Sequence, residues 1–224
     1  MFLLMVFTFN LINTNAIIVT GNKTYSKDVI QNIVGINKKT NLFVYKLASK
    51  KYDLEEYPYI ENIDIKYNSI NNVEIIVTEK NIISYIPYMG RYLCLGSEGD
   101  VIDYTDKIQK DIPIVHGLSF DHFIIGDKLF DQNSIIFRSI VQISYKINKF
   151  DLKIDYIDFN FNDPKQIVLK IDKISVLIGD INDINRKFEL LKGVIEKLPV
   201  GSDGMIDLHN LSKKNIVFTP SDSK

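Results

Sequence analysis

Ala16-Ile-Ile-Val-Thr20 is a short β-branched run ended by Gly21-Asn22, which predicts a strand and then a turn. Ser26 is placed to N-cap the next segment, with Asp28 in the first turn, where the helix dipole favours negative charge. Val29, Ile30, Ile33 and Val34 share one helical face, and Gly35 closes the helix. A second helix is expected from about Lys46 to Glu56, stopping before Pro58. Tyr59 to Tyr67 alternates, with Ile63, Ile65 and Tyr67 on one side and Asn62, Asp64 and Lys66 on the other. Asn68 to Asn72 supplies turn residues, and Val73, Ile75 and Val77 alternate again up to Glu79. The order β-α-α-β-β predicts an α+β module with its helices on one face of a small sheet.

The second half reads as β-rich with two helices. Ile136, Ile140, Ile143 and Ile147 form one helical stripe, with Asp131 as the expected N-cap. Ile154 to Phe161, Gln166 to Ile171 and Ile174 to Ile178 are strand-like. Another helix is predicted from about Asp183 to Lys197, with Ile184, Phe188, Leu191 and Ile195 inward and a Lys192/Glu196 pair on its wet side. Gly201 and Gly204 lead into a strand over Met205–His209, and Asn215–Phe218 is the last strand-like piece. No Gly/Pro/Ser-rich linker separates the halves, so the boundary is expected near Lys80-Asn81.

Composition narrows the class. A chain of 224 residues with 46% hydrophobic and 25% charged residues is globular, and long enough to fold without disulfides or metals. Lys and Arg total 27 against 28 Asp and Glu, for a net charge of −1 without a basic stripe, which argues against nucleic-acid binding. The single cysteine, Cys94, lies in the apolar run Tyr92-Leu-Cys-Leu95, so it is expected to be a small buried hydrophobe. Met1 to Phe9 (MFLLMVFTF) and the following Asn10-Leu-Ile-Asn13 are apolar but shorter than the ~20 residues of a membrane helix, with no Lys or Arg before them. One reading is a buried N-terminal element. The preferred one is the remnant of a single membrane anchor whose cationic upstream part is missing, leaving everything after about Asn15 extracytoplasmic.

Candidate chemistry is sparse. His116, His122 and Asp121 could approach a metal, but no helix or strand spacing fixes them, and they read as solvated loop residues. His209 is expected to be exposed on a strand. Asp158-Phe-Asn160-Phe-Asn162-Asp163 imitates the start of a calcium loop, but Asp163 stands where glycine is needed and Leu169 where the closing Glu should be. Its interleaved Phe159 and Phe161 give strand alternation instead. Gly96-Ser-Glu-Gly99 lacks nucleophile-elbow spacing and reads as a hairpin turn. No nucleotide-binding motif and no assignable acid/base pair is present, so no catalytic, cofactor-binding or metal-binding residue is assigned. A β-rich protein of this kind binds through an open sheet edge. The last strand-like piece, followed by Thr219-Pro220, is the expected edge, with Thr219-Pro220 stopping further pairing within the chain.

Ile17-Ile-Val-Thr-Gly-Asn22 with Tyr25-Ser26-Lys-Asp-Val-Ile30 resembles the opening of a POTRA domain. Asn41-Leu-Phe43, Pro58-Tyr-Ile60 and Val73-Glu-Ile-Ile-Val-Thr-Glu-Lys80 fall where that family has a helix start, a strand start and a closing strand. One POTRA with no barrel after it resembles the FtsQ/DivIB family of bacterial cell-division proteins. Tyr92 to Ile102, Ile112-Pro113-Ile-Val-His-Gly117, Val176-Leu-Ile-Gly179 and Met205-Ile-Asp-Leu208 extend the resemblance in chain order over nearly all of residues 16–220. Among the departures, Ile70 stands where the family usually has a turn proline.

The resemblance implies a membrane anchor at 1–15, a POTRA-like domain at 16–80, a β domain at 81–211 and a C-terminal strand and tail at 212–224. It implies a non-catalytic divisome scaffold at the septum, single-pass in the cytoplasmic membrane and monomeric on its own. Its partners would be FtsB/DivIC-like and FtsL-like bitopic proteins, and its role would be to help regulate septal peptidoglycan synthesis. By position, Asn210, Ser212 and Phe218 would meet the partner, with Asn210 and Phe218 replacing the tyrosine or tryptophan usual in the family, and the expected edge adds Ile216 and Val217. The alternatives are a secreted or soluble enzyme using the Asp-rich strands, or a POTRA-type chaperone module. For Ile216 and Phe218 the competing reading is that they close the sheet against the core.

Overall fold

The computed structural model describes residues 14–48, 51–160, 163–211 and 218–221. The N-terminal apolar run up to Asn13, and Phe161 and Asn162 of the Asp/Asn-rich stretch, lie outside them. The chain divides into two compact units at Lys80/Asn81.

The first unit opens with strand β1 (Ala16–Thr20) and helix α1 (Lys27–Val34). Ser26 caps α1 by accepting from the Val29 N–H, Asp28 lies in its first turn, Ile30 and Val34 are buried, and Gly35 ends it. Helix α2 spans Leu42–Leu47, which corrects the helix expected over Lys46–Glu56. The Asn41 carboxamide accepts from the N–H groups of Phe43 and Val44, so the helix is capped there and overlaps the segment assigned to it only at Lys46 and Leu47. Strands β2 (Ile60–Tyr67) and β3 (Asn72–Glu79) complete a three-stranded sheet in the order β1-β3-β2, with β1 parallel and β2 antiparallel to β3. Val73, Ile75 and Val77 alternate into a core with Val19, Ile63, Ile30, Val34, Leu42 and Tyr45. The Tyr45 hydroxyl donates to the Val34 carbonyl and ties the two helices together.

The second unit holds a nine-stranded sheet. Its strands are β4 (Ile82–Tyr88), β5 (Arg91–Gly96), β6 (Val101–Thr105), β7 (Ile114–His116), β8 (Tyr156–Asn160), β9 (Asp163–Ile171), β10 (Ile174–Gly179), β11 (Gly204–Asp207) and β12 (Phe218–Pro220). Their order is β12-β11-β10-β9-β8-β7-β4-β5-β6, so β12 and β6 are the two edges. Helix α3 (Ile135–Phe150) is capped by Ser134, whose Oγ accepts from the Phe137 N–H at 3.1 Å, and not by Asp131. The Asp131 carboxylate accepts from the Asn133 N–H at 2.7 Å and forms the turn before the cap. Helix α4 (Ile184–Ile195) buries Ile184, Phe188 and Leu191, and Lys192 and Glu196 stand 4.0 Å apart on its outer side. Both helices pack into one core with the sheet, centred on residues such as Ile140, Ile143, Ile157, Leu169, Val176, Phe188 and Ile206. Gly117, the last residue of the Pro113-to-Gly step, has φ +76°, and a Cβ there would lie 1.8 Å from the Phe159 carbonyl oxygen. No other residue fits where β7 and β8 run side by side.

Candidate partner-binding edge

The end of the sheet is built from the chain around Gly204. The Ser202 Oγ donates to the Pro199 carbonyl at 2.7 Å, turning the chain out of α4 and into β11. β11 is parallel to β10, and the Leu208 N–H donates to the Leu177 carbonyl at 2.9 Å. Ile206 and Leu208 are fully buried beneath it. The Asp207 carboxylate then accepts from the His209 N–H at 2.9 Å, and this turn ends the strand. His209 thus lies past the strand end. It is exposed as expected, with its ring against Gly179, where a Cβ would come within 2.3 Å of Nδ1.

β12 returns antiparallel to β11, pairing Gly204 with Pro220, Met205 with Thr219 and Ile206 with Phe218. Thr219 and Pro220 therefore pair within the chain, which corrects the expectation that they stop pairing. Gly204 is required for this closure: a Cβ there would sit 2.3 Å from the Thr219 carbonyl oxygen and 2.8 Å from the Phe218 ring. The Phe218 ring is half-buried and packs on the core of the unit.

The direction of the backbone groups follows from one bond. The Ser221 N–H donates to the Asp203 carbonyl at 3.0 Å, and the Ser221 Oγ donates to the Asp203 carboxylate at 2.7 Å. Backbone polar groups alternate sides along a strand. Thr219 and Ser221 therefore face β11, and Phe218 and Pro220 face outward. The outer rim of β12 offers the Phe218 N–H and carbonyl and the Pro220 carbonyl. Proline lacks an N–H, so its outward position costs the ladder with β11 nothing and blunts that end of the rim.

Of the five residues assigned to partner contact, Phe218 lies on this edge, and Asn210 is exposed just beyond the turn that ends β11. Ser212, Ile216 and Val217 lie outside the described residues. Met205, exposed on β11 opposite Thr219, was not singled out by the sequence and adds an apolar side chain to the outer face.

The other chemical candidates are dispersed. His116 stands on β7 edge-on to the Tyr156 ring at 5.0 Å, while His122 and Asp121 are exposed in the following loop. No group of three or more His, Cys, Asp or Glu positioned for a metal occurs among the described residues. Asp158 and Asn160 point outward on β8 while Ile157 and Phe159 are buried, which is strand alternation. Gly96 to Gly99 is the β5–β6 hairpin turn, closed by the Gly99 N–H donating to the Gly96 carbonyl at 3.0 Å. Cys94 is wholly buried on β5. The ion pair between buried Lys187 and half-buried Asp180 is structural. Lys187 donates to the carbonyls of Ile178 and Asp180, each at 2.9 Å, and to the Asp180 carboxylate at 3.2 Å. Burial pushes the Asp180 carboxyl up, but the Asn182 N–H and the Lys187 ammonium outweigh it and hold the group below the usual carboxylate range.

Residues 12–80 match the model of the FtsQ-type POTRA domain, so this is a POTRA-bearing protein with a β-rich domain after it. The similarity continues beyond that module. The chain is 24% identical over 200 residues to the cell division protein DivIB of Clostridium tetani, covering 88% of this chain and 76% of that protein. It is 26% identical over 200 residues to DivIB of Clostridium acetobutylicum, with 88% and 79% covered. Against DivIB of Staphylococcus aureus (strain NCTC 8325 / PS 47) it is 22% identical over 189 residues, covering 84% of this chain but 40% of the relative's length. The chain is thus similar to the FtsQ/DivIB cell-division proteins along most of its length.

Proposed function

We propose that this chain is a non-catalytic scaffold of the bacterial division machinery. The N-terminal apolar run, about residues 1–15, anchors it in the cytoplasmic membrane, although no helix among the described residues is long and apolar enough to span one. The POTRA domain (16–80) and β domain (81–211) lie outside the membrane at the septum, and residues 212–224 carry the C-terminal strand and tail. The C-terminal edge binds an FtsB/DivIC-like partner, with an FtsL-like protein in the same assembly, and through them the protein helps regulate septal peptidoglycan synthesis. The observation that carries this reading is the rim of β12, in a chain whose relatives are named cell division proteins.

Strand addition is the mode that fits this rim. A strand joining β12 finds a donor and an acceptor at Phe218 but only an acceptor at Pro220. Pairing must therefore run from Phe218 toward Val217 and Ile216, and cannot extend past Pro220. Asn210, Ser212, Ile216, Val217 and Phe218 are the proposed contact residues.

The test is amide exchange at Phe218 and capture of a DivIC-like extracytoplasmic domain from the same organism. The Phe218 amide should exchange readily in the protein alone and become protected in the complex, and Ile216→Pro should abolish capture. Protection of that amide before the partner is added, or unchanged capture by the Ile216→Pro protein, would refute the edge.

A further inference from the structure

We propose that one end of the POTRA unit, formed by the β2–β3 hairpin tip and helix α2, rests on an anionic lipid surface. The proposal rests on the reading of residues 1–15 as a membrane anchor, but its own observations are separate. The Thr14 N–H and hydroxyl both donate to the Thr40 carbonyl, at 3.1 and 2.6 Å, and the Asn15 N–H donates to the Asn71 carbonyl at 2.7 Å. The apolar N-terminal sequence therefore joins the unit between the turn before α2 and the hairpin tip.

Among the described residues those two places carry Phe43, Val44, Leu47 and Ile70, four of the five exposed large hydrophobics of this unit; the fifth, Ile18, lies on β1. Ile70, at the tip, is 65% exposed, and Val44 and Leu47 on α2 are 54% and 71% exposed. Helix α2 buries only Leu42 and Tyr45, so most of its apolar side faces outward. Between Ile36 and Tyr52 the sequence carries Lys38, Lys39, Lys46, Lys50 and Lys51 and no acidic residue.

Single exposed apolar residues are ordinary on a protein surface. Here they gather where an apolar segment joins the unit; beside the hairpin tip Lys66 neutralises Glu74 at 3.5 Å, and the stretch around α2 carries lysines and no acidic residue. That is the composition of a segment lying in the interface of an anionic bilayer, with aliphatic side chains at the acyl boundary and lysines at the headgroups. A protein partner or a second copy of the chain would cover the apolar residues equally well, but neither accounts for the run of lysines.

The chain contains no tryptophan, so a single introduced indole reports its own surroundings. Full-length Val44→Trp, Ile70→Trp and Glu61→Trp proteins are reconstituted into phosphatidylcholine/phosphatidylglycerol vesicles with or without brominated acyl chains. Glu61 is exposed near the start of β2, roughly 20 Å along the strand from the tip, and serves as the reference. The indoles at positions 44 and 70 should shift to shorter wavelength and lose most of their emission to brominated lipid, while the one at 61 should do neither. Adding Lys38→Glu and Lys39→Glu should reduce that loss in anionic vesicles more than in pure phosphatidylcholine. Protein that floats with vesicles but shows no quenching at 44 or 70 overturns the surface and leaves the anchor standing. A blue shift that depends on protein concentration and not on bromine overturns it in favour of a second copy. Protein that does not float at all refutes the anchor and the surface together.

Discussion

Gly204→Ala tests the closure of the last strand pair. The added methyl would lie 2.3 Å from the Thr219 carbonyl oxygen and 2.8 Å from the Phe218 ring, so one of the two strands must move. β11 is fixed on its other side by the parallel ladder to β10 and from below by Ile206 and Leu208. β12 pairs with β11 through only Phe218, Thr219 and Pro220, so it is the strand that yields. Forcing a methyl into packed surroundings costs about 1–3 kcal/mol. Releasing β12 instead forfeits a few hydrogen bonds worth ~1 kcal/mol each and the packing of half a phenylalanine, ~1 kcal/mol. Either route destabilises the β domain by about 1–4 kcal/mol. The assay is urea unfolding, with a lower midpoint at unchanged slope, together with faster exchange of the Ser221 amide. Phe218→Ala should not rescue the variant, because the nearer obstacle is the Thr219 backbone oxygen. An unchanged midpoint with the Ser221 amide still protected would refute the docking of β12. Rescue by Phe218→Ala would show that the ring sets the limit.

The remaining expectations concern the two cores. Lys187→Met strands the carbonyls of Ile178 and Asp180 away from their donor and should cost about 1–3 kcal/mol by urea unfolding. The same pair sets an acid limit. With the Asp180 carboxyl held below its unfolded range, its contribution is complete above about pH 4 and is lost as pH falls through the folded value. Lys187→Met should flatten that acid slope in midpoints measured across the pH range, and an unaltered slope would contradict the assignment. In the POTRA unit, Tyr45→Phe removes the hydroxyl that donates to the Val34 carbonyl and should lower stability by about 1 kcal/mol. Burial, and then Tyr52, push the pKa of this phenol up and keep it protonated, so the difference should persist unchanged through mildly alkaline pH; a loss of the difference near neutrality would refute it.

Most of the fold was legible because it is written in short periods. The α1 face, the alternation of β2 and β3 and the stripe on α3 are local patterns that packing reinforces. β4 was not legible. Ile83 to Ile86 are all buried, so the strand shows no alternation, and Pro87 argues against a central strand. The register resolves this. The Tyr85 N–H donates to the Pro113 carbonyl, and β4 pairs with β7 only at Tyr85, so Pro87 faces that side past the last pairing between the two strands. The missing N–H falls where no acceptor is needed, which depends on a strand almost thirty residues away and is invisible in the local pattern.

Helix α2 and the β12 rim evaded the sequence for one common reason: both are surfaces, while hydrophobic periodicity reports interiors. The stop at Pro58 drew the expected helix toward Glu56, whereas Asn41 starts it earlier, with Val44 and Leu47 pointing outward. At the other end of the chain, the sequence indicates that Phe218 is apolar and that Pro220 interrupts a strand, but not which backbone groups face out. That is decided by the Ser221–Asp203 bond and the closeness that Gly204 permits between β11 and β12. A glycine and a proline that read locally as punctuation thus set what the edge offers a partner: one full pairing position at Phe218, and a stop at Pro220. The proposed direction of strand addition follows from those two residues more than from any apolar side chain nearby.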